Sequence, residues 1–89
     1  MNITADVSLY PLVENYKPEI KNFIRQLRCY SDLELVTNQL STQIRGDAEL
    51  VMAALNKCML TSMQGGDKVV FVARYLNADL DISVNPDID

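Results

Sequence analysis

Histidine is absent from this 89-residue chain, and glycine, proline and cysteine are scarce at three, three and two residues. Without histidine the chain lacks the usual general base and the commonest metal ligand together. Few glycines and prolines argue for a well-ordered domain over a flexible or fibrous chain. The two cysteines, Cys29 and Cys58, form no CxxC pair and have no cluster of basic neighbours that would hold a thiolate. No glycine-rich phosphate loop follows the first apolar segment, and the acidic residues are too scattered for an EF-hand. No stretch approaches the roughly 18 apolar residues of a membrane span, and no basic segment leading into an apolar run opens the chain. A cytoplasmic location is therefore expected. Eight basic residues against twelve acidic ones leave a formal charge of −4 and a pI near 4.6, which disfavours nucleic acid or an anionic membrane as partner. The serines and threonines have no evident base to activate them. Elimination points to a binding or assembly module rather than an enzyme, with no cofactor and no metal.

What is present reads as one small α+β domain. Apolar residues make up 48% of the chain, enough for a single core. Residues Ile3 to Leu12 alternate, with Ile3, Ala5, Val7 and Leu9 on one side and Thr4, Asp6, Ser8 and Tyr10 on the other, the pattern of a half-buried strand. Pro11, which has no amide proton, marks where that strand stops pairing on both sides. Pro18 suits the first turn of a helix, and Ile20, Phe23, Ile24 and Leu27 then form one apolar stripe. Lys21, Arg25 and Arg28 fall off the stripe and read as a solvated face. Cys29 lies half a revolution from it, so a disulfide to Cys58 is not expected.

Leu33 to Thr37 gives a second strand, Asn38-Gln39 a two-residue turn, and Leu40 to Arg45 a third strand. That register pairs Thr37 with Leu40, Leu35 with Thr42 and Leu33 with Ile44. It places Leu33, Leu35, Leu40, Thr42 and Ile44 toward the helices and Ser41, Gln43 and Arg45 on the other side. Gly46 is expected to end the strand, and Asp47 and Glu49 to open a helix whose buried row is Val51, Leu55, Cys58 and Met59, with Ala53 and Ala54 allowing close approach. Gly65-Gly66 stops it. Lys68 to Leu76 makes a last strand, apolar on both faces, which calls for a second subunit over the face the helices leave open. Residues 78–89 form an acidic tail, either mobile or an edge strand through Leu80, Ile82 and Val84, with its first half expected to be partly ordered.

The order strand, helix, strand, strand, helix, strand predicts a ferredoxin-like βαββαβ sandwich over residues 1–77, a four-stranded antiparallel sheet with both helices on one face, oligomerising through the sheet. The first and third strands become central neighbours, bringing the polar row of Asp6, Ser8 and Tyr10 beside that of Ser41, Gln43 and Arg45.

Three segments, SLYPL (Ser8 to Leu12), STQIRGD (Ser41 to Asp47) and KVVF (Lys68 to Phe71), resemble in order and spacing the YkoF-type thiamine- and hydroxymethylpyrimidine-binding proteins. The resemblance spans residues 3 to about 76. It implies a ferredoxin-like module that binds thiamine or its pyrimidine moiety for vitamin B1 salvage, transport or sensing, without chemistry. Because that family's best-known form carries two modules in one chain, a homodimer or dimer of dimers would replace the internal pair here. By this likeness Ser8, Tyr10, Ser41, Thr42 and Arg45 become candidate ligand contacts. The residues suggest complementary roles. Ser8, Ser41 and Thr42 hydroxyls and the Gln43 amide suit an aminopyrimidine edge. Tyr10 or Phe71 suits stacking on an aromatic ring, and Asp6 suits a cationic guest.

Each candidate also has a purely structural reading. Ser8 and Ser41 would bond across strands, Thr42 to a carbonyl, and Arg45 to Asp47 or the acidic tail. Ser41 and Thr42 point to opposite faces, so both reach one ligand only if the pocket lies at the strand end or the register is off by one. Two other readings use the same fold: a structural or regulatory oligomerisation module with no small ligand, and an acylphosphatase-like enzyme, which the missing anion loop disfavours.

Overall fold

Period-two alternation produces the expected first strand. In the computed structural model, which describes residues 1–88, β1 runs from Asn2 to Pro11 with Ile3, Ala5, Val7 and Leu9 buried. The remaining elements are α1 (Lys17–Arg28), β2 (Glu34–Thr37), β3 (Thr42–Asp47), α2 (Ala48–Met63) and β4 (Val69–Leu76). They form one antiparallel sheet in the order β2-β3-β1-β4, a ferredoxin-like arrangement with β1 and β3 at its centre. Among the described residues no helix is long and apolar enough to cross a membrane.

The core joins the odd-numbered residues of β1 to Phe23 and Leu27 of α1, Leu33, Ile44, and Val51, Ala54, Leu55 and Cys58 of α2. The expected α1 stripe forms, with Phe23 and Leu27 as its buried members and Pro18 in the first turn. In α2 the buried row is Val51, Ala54, Leu55, Cys58 and Ser62, while Met59 is half-buried and Ala53 faces solvent. Ala54 alone therefore provides the close approach expected of the alanine pair. Asp47 caps α2, its carboxylate accepting from the Leu50 N–H at 3.4 Å. Gly66, at φ +97°, lies just beyond the helix, where a left-handed residue favours glycine. Both thiols are free, Cys29 exposed and Cys58 buried, and burial pushes the Cys58 pKa up.

Gly46 does not end β3. It pairs with Ile3 inside the strand, and a Cβ there would stand 2.6 Å from Leu33 Cδ2, so the missing side chain makes room for Leu33. The hairpin also differs from expectation. Thr37 pairs with Thr42 and Leu35 with Ile44, two residues away from the predicted register. The cause is the Asn38 side chain, whose Oδ1 accepts the N–H groups of Leu40 (2.9 Å) and Ser41 (3.0 Å) while the Asn38 N–H donates to the Ser41 carbonyl at 3.0 Å. This closes a four-residue loop in place of the two-residue turn. Leu40 consequently leaves the core and is 86% exposed. A slip of two keeps every side chain on its face, so Thr42 still points toward the helices.

The edge strand through Leu80, Ile82 and Val84 does not form among the described residues. The segment turns back across the sheet face opposite the helices, with Thr4 Oγ1 donating to the Ala78 carbonyl (2.8 Å) and accepting from the Leu80 N–H (3.0 Å).

Candidate functional site

Strand pairing divides the open face into two ends. At one end β1 lies between β3 and β4, and register sets Thr4 beside Arg45 and Leu76, and Asp6 beside Gln43 and Arg74. The two polar rows expected from sequence do meet here; Arg45 and one oxygen of Asp6 are paired within the protein, while Asp6 Oδ1 is buried with no hydrogen-bond partner among the described residues. Arg45 Nε donates to Asp79 at 2.6 Å, and its guanidinium also pairs with Glu34 (3.4 Å) and Asp81 (3.7 Å). The hydrogen bond from Arg45 holds the Asp79 carboxyl below its usual range, and Asp79 in turn raises the Arg45 pKa. The side-chain and backbone bonds from Ser83 lower the Asp81 pKa. Asp6 accepts from Arg74, with Nε at 3.1 Å. Its pKa is lowered first by the neighbouring Ser41 hydroxyl and then by Arg74, against an opposing effect of burial. Leu80 and Ile82 lie over this end, enclosing a shallow space of about 320 Å³ with Thr4, Asp6, Gln43 and Arg74.

The other end is built differently. β3 begins at Thr42, opposite Val7, so residues Ser8 to Pro11 of β1 keep β4 as a neighbour and have no strand on their other side. The hairpin loop bends away there, and α1 passes beneath. The result is a cavity of about 380 Å³ between the end of β1, the loop and α1. Its walls carry the hydroxyls of Ser8, Ser41 and Thr42, the rings of Tyr10, Tyr16 and Phe23, and the aliphatic side chains of Ile20 and Ile24. Thr42, only 4% exposed, shares a 3.1 Å hydrogen bond with the Thr37 hydroxyl, and Ser8 Oγ donates to the Leu40 carbonyl at 3.3 Å.

The structure thus sorts the eight sequence candidates. Ser8, Tyr10, Ser41 and Thr42 line the strand-end cavity together. Ser41 and Thr42 do so from opposite faces, because the cavity sits where the strand starts and opens to both. Asp6, Gln43 and Arg45 lie at the tail-covered end. Phe71 faces the helices, its ring edge-on to Phe23 with centroids 5.7 Å apart. It braces Phe23 in the cavity wall and does not itself line the cavity.

Sequence reasoning missed Tyr16, Ile20, Ile24 and the loop residue Asn38 as parts of this wall. The α1 stripe had been read as core alone. Its two outer members, Ile20 and Ile24, are only half-buried, and that is where the cavity reaches them. The available signal was a tyrosine immediately before a helix whose apolar stripe faces a strand end.

No protein-family model and no curated protein matches the chain. Solved structures do. A candidate thiamine biosynthesis/salvage protein from Thermotoga maritima superposes with a TM-score of 0.82 at 15% identity, over 93% of this chain and 92% of that one. A hypothetical protein from Methanocaldococcus jannascii gives 0.79 at 24% identity, over 92% and 89%. A protein from Streptococcus pneumoniae gives 0.70 at 18% identity, over 90% of each chain. At these identities the likeness is one of fold.

Proposed function

We propose that this chain binds thiamine or its hydroxymethylpyrimidine moiety in the strand-end cavity, without chemistry, and serves vitamin B1 salvage, transport or sensing in the cytoplasm. The observation that carries the reading is the convergence of three hydroxyls and three aromatic rings on one space of about 380 Å³. That volume lies within the roughly 300–1,000 Å³ typical of small-ligand pockets, and apolar walls with a few polar groups are their usual chemistry. Two of the three segments that resemble the YkoF-type proteins, SLYPL and STQIRGD, supply the cavity's polar wall. The third, KVVF, pairs with the end of β1 and fixes it in place. The similar fold of the Thermotoga maritima protein supports the same reading. A net charge of −4 favours a cationic guest such as thiamine.

Titration calorimetry with thiamine and with free hydroxymethylpyrimidine tests it. Binding of either, with a matching rise in thermal midpoint, is the expected result. A ligand at about 100 times its Kd adds ~2.7 kcal/mol, which for a domain of this size is a shift of roughly 10–20 °C. No heat and no shift with either compound overturns the reading.

A structural or regulatory oligomerisation role has one observation of its own. Val70, Val72 and Leu76 remain about half exposed in a row along β4 on the open face. A second copy packed on that row would make a homodimer, or a dimer of dimers, compatible with ligand binding at the strand end. Sedimentation of Val72→Lys against the parent chain tests it. The dimer is lost if the row is an interface, and the idea fails if both sediment alike.

A further inference from the structure

We propose that the element reading the ring in this cavity is the main chain of Leu9, whose N–H and C=O take the donor–acceptor edge of an aminopyrimidine as they would a neighbouring strand. The proposal rests on the cavity being a thiamine or hydroxymethylpyrimidine site and names the group within it that selects the ring.

The argument comes from hydrogen-bond phase. In an antiparallel sheet the main chain of successive residues turns alternately to the two neighbouring strands. Two bonds fix that phase in β1. The Leu12 N–H donates to the Lys68 carbonyl at 2.9 Å, on the β4 side, and the Met1 carbonyl accepts from the Ala48 N–H at 2.9 Å, on the β3 side. Even-numbered residues of β1 therefore address β4 and odd-numbered ones address β3.

On the β3 side, Ile3 meets Gly46, Ala5 meets Ile44, and Val7 meets Thr42. The next partner in this series, opposite Leu9, would be Leu40. It has been turned away, its N–H bonded to Asn38 Oδ1 and its carbonyl to Ser8 Oγ. Among the described residues nothing else bonds to the Leu9 main chain. The following odd-numbered residue is Pro11, which has no N–H to leave unpaired. The uncovered edge thus presents the N–H and C=O of Leu9 side by side, with the Pro11 carbonyl beyond them, and Leu9 is only 5% exposed and lines the cavity. Buried main-chain groups without a protein partner are rare, and a bound guest is one way of supplying one.

The complement of a strand N–H beside its own C=O is a planar group with an acceptor next to a donor. A ring nitrogen adjacent to an exocyclic amino group meets that requirement. Replacing the amino group by an oxo group puts a carbonyl against the Leu9 carbonyl and a protonated ring nitrogen against the Leu9 N–H, so both contacts become repulsive. The phenol and phenyl rings of Tyr16 and Phe23 supply apolar wall without distinguishing the two compounds.

The experiment uses the full chain labelled with 15N and follows amide exchange and shifts. In the free protein the Leu9 amide should exchange faster than those of Val7 and Tyr10, which are paired. Thiamine and hydroxymethylpyrimidine should each protect and shift it, and the 4-oxo analogue of thiamine should bind about tenfold or more weakly. Equal affinity for the amino and oxo compounds overturns the proposal while leaving the thiamine reading intact, as does a Leu9 amide already as protected as Val7. If thiamine moves no amide at all, the thiamine reading fails, and 2-aminopyridine serves as a probe with the same edge. Protection of Leu9 by that probe supports the proposal, and its absence overturns it.

Discussion

Thr4 and Ser8 stand four residues apart on the same side of β1, and the chain treats them in opposite ways. Thr4 is saturated, its hydroxyl held between the Ala78 carbonyl and the Leu80 N–H beneath the tail. Ser8 makes one longer contact, 3.3 Å to the Leu40 carbonyl, at the rim of a cavity. The difference lies in the neighbours. Where β3 runs alongside, polar side chains are the only groups left over; the tail partners Thr4 and Arg45, and Arg74 of β4 partners Asp6. Where β3 has not yet begun, the strand edge itself is open. A polar row on a sheet is therefore a weak guide to a binding site, and a mismatch in strand ends is a better one.

The largest expected effect comes from joining the cavity to the core. Phe23→Ala should cost about 3–5 kcal/mol in urea denaturation, because Phe23 is 2% exposed and braces Phe71. A much smaller loss would mean that the cavity wall is independent of the core. Removing the tail after Asn77 tests the other end. It should cost about 1–3 kcal/mol through the two Thr4 bonds and the apolar cover of Leu80 and Ile82, and leave thiamine affinity unchanged. A loss of affinity on truncation would erase the distinction between the two ends. Thr42→Val removes a buried hydroxyl bonded to Thr37, at about 1 kcal/mol, and should weaken the ligand where truncation does not.

How much of this could be read from sequence depended on whether the deciding contact was local. The alternation of β1, the α1 stripe and the Gly65-Gly66 stop are local patterns, and each formed as expected. The hairpin register was decided by one side chain, Asn38, capturing two amides, which no propensity of Asn-Gln reveals. The error of two residues spared the faces, so Ser41 and Thr42 stand opposed as expected; of the two ways left open for both to reach one ligand, the register is not off by one and a cavity does lie at the strand end. Arg45 and the tail were both legible as charges. Bonding between them was one of the two structural readings of Arg45, and the fold selects it over Asp47 through Asp79, 34 positions away.

The smallest effect is in the acid range. Asp6, Asp79 and Asp81 all have lowered pKa values in the folded chain. A depressed folded value means their contribution is fully present above the unfolded carboxylate value of about 3.9 and is lost as pH falls through the lowered folded values. The tail contacts should therefore hold from neutral pH to about 4 and loosen below it, seen as faster exchange of the Leu80 amide. The Leu40 amide in the hairpin loop should change less, because Asn38 holds it without a titrating group, whereas Ser41 is coupled to Asp6. Uniform loosening of both ends would contradict the comparison.

The most direct measurement is an amide map of the labelled full chain titrated with thiamine. The account predicts shifts confined to residues 7–12, 16–24 and 37–42, with Thr4, Gln43, Arg45 and the tail unmoved. Shifts centred on the tail-covered end, or none at saturating ligand, would contradict it.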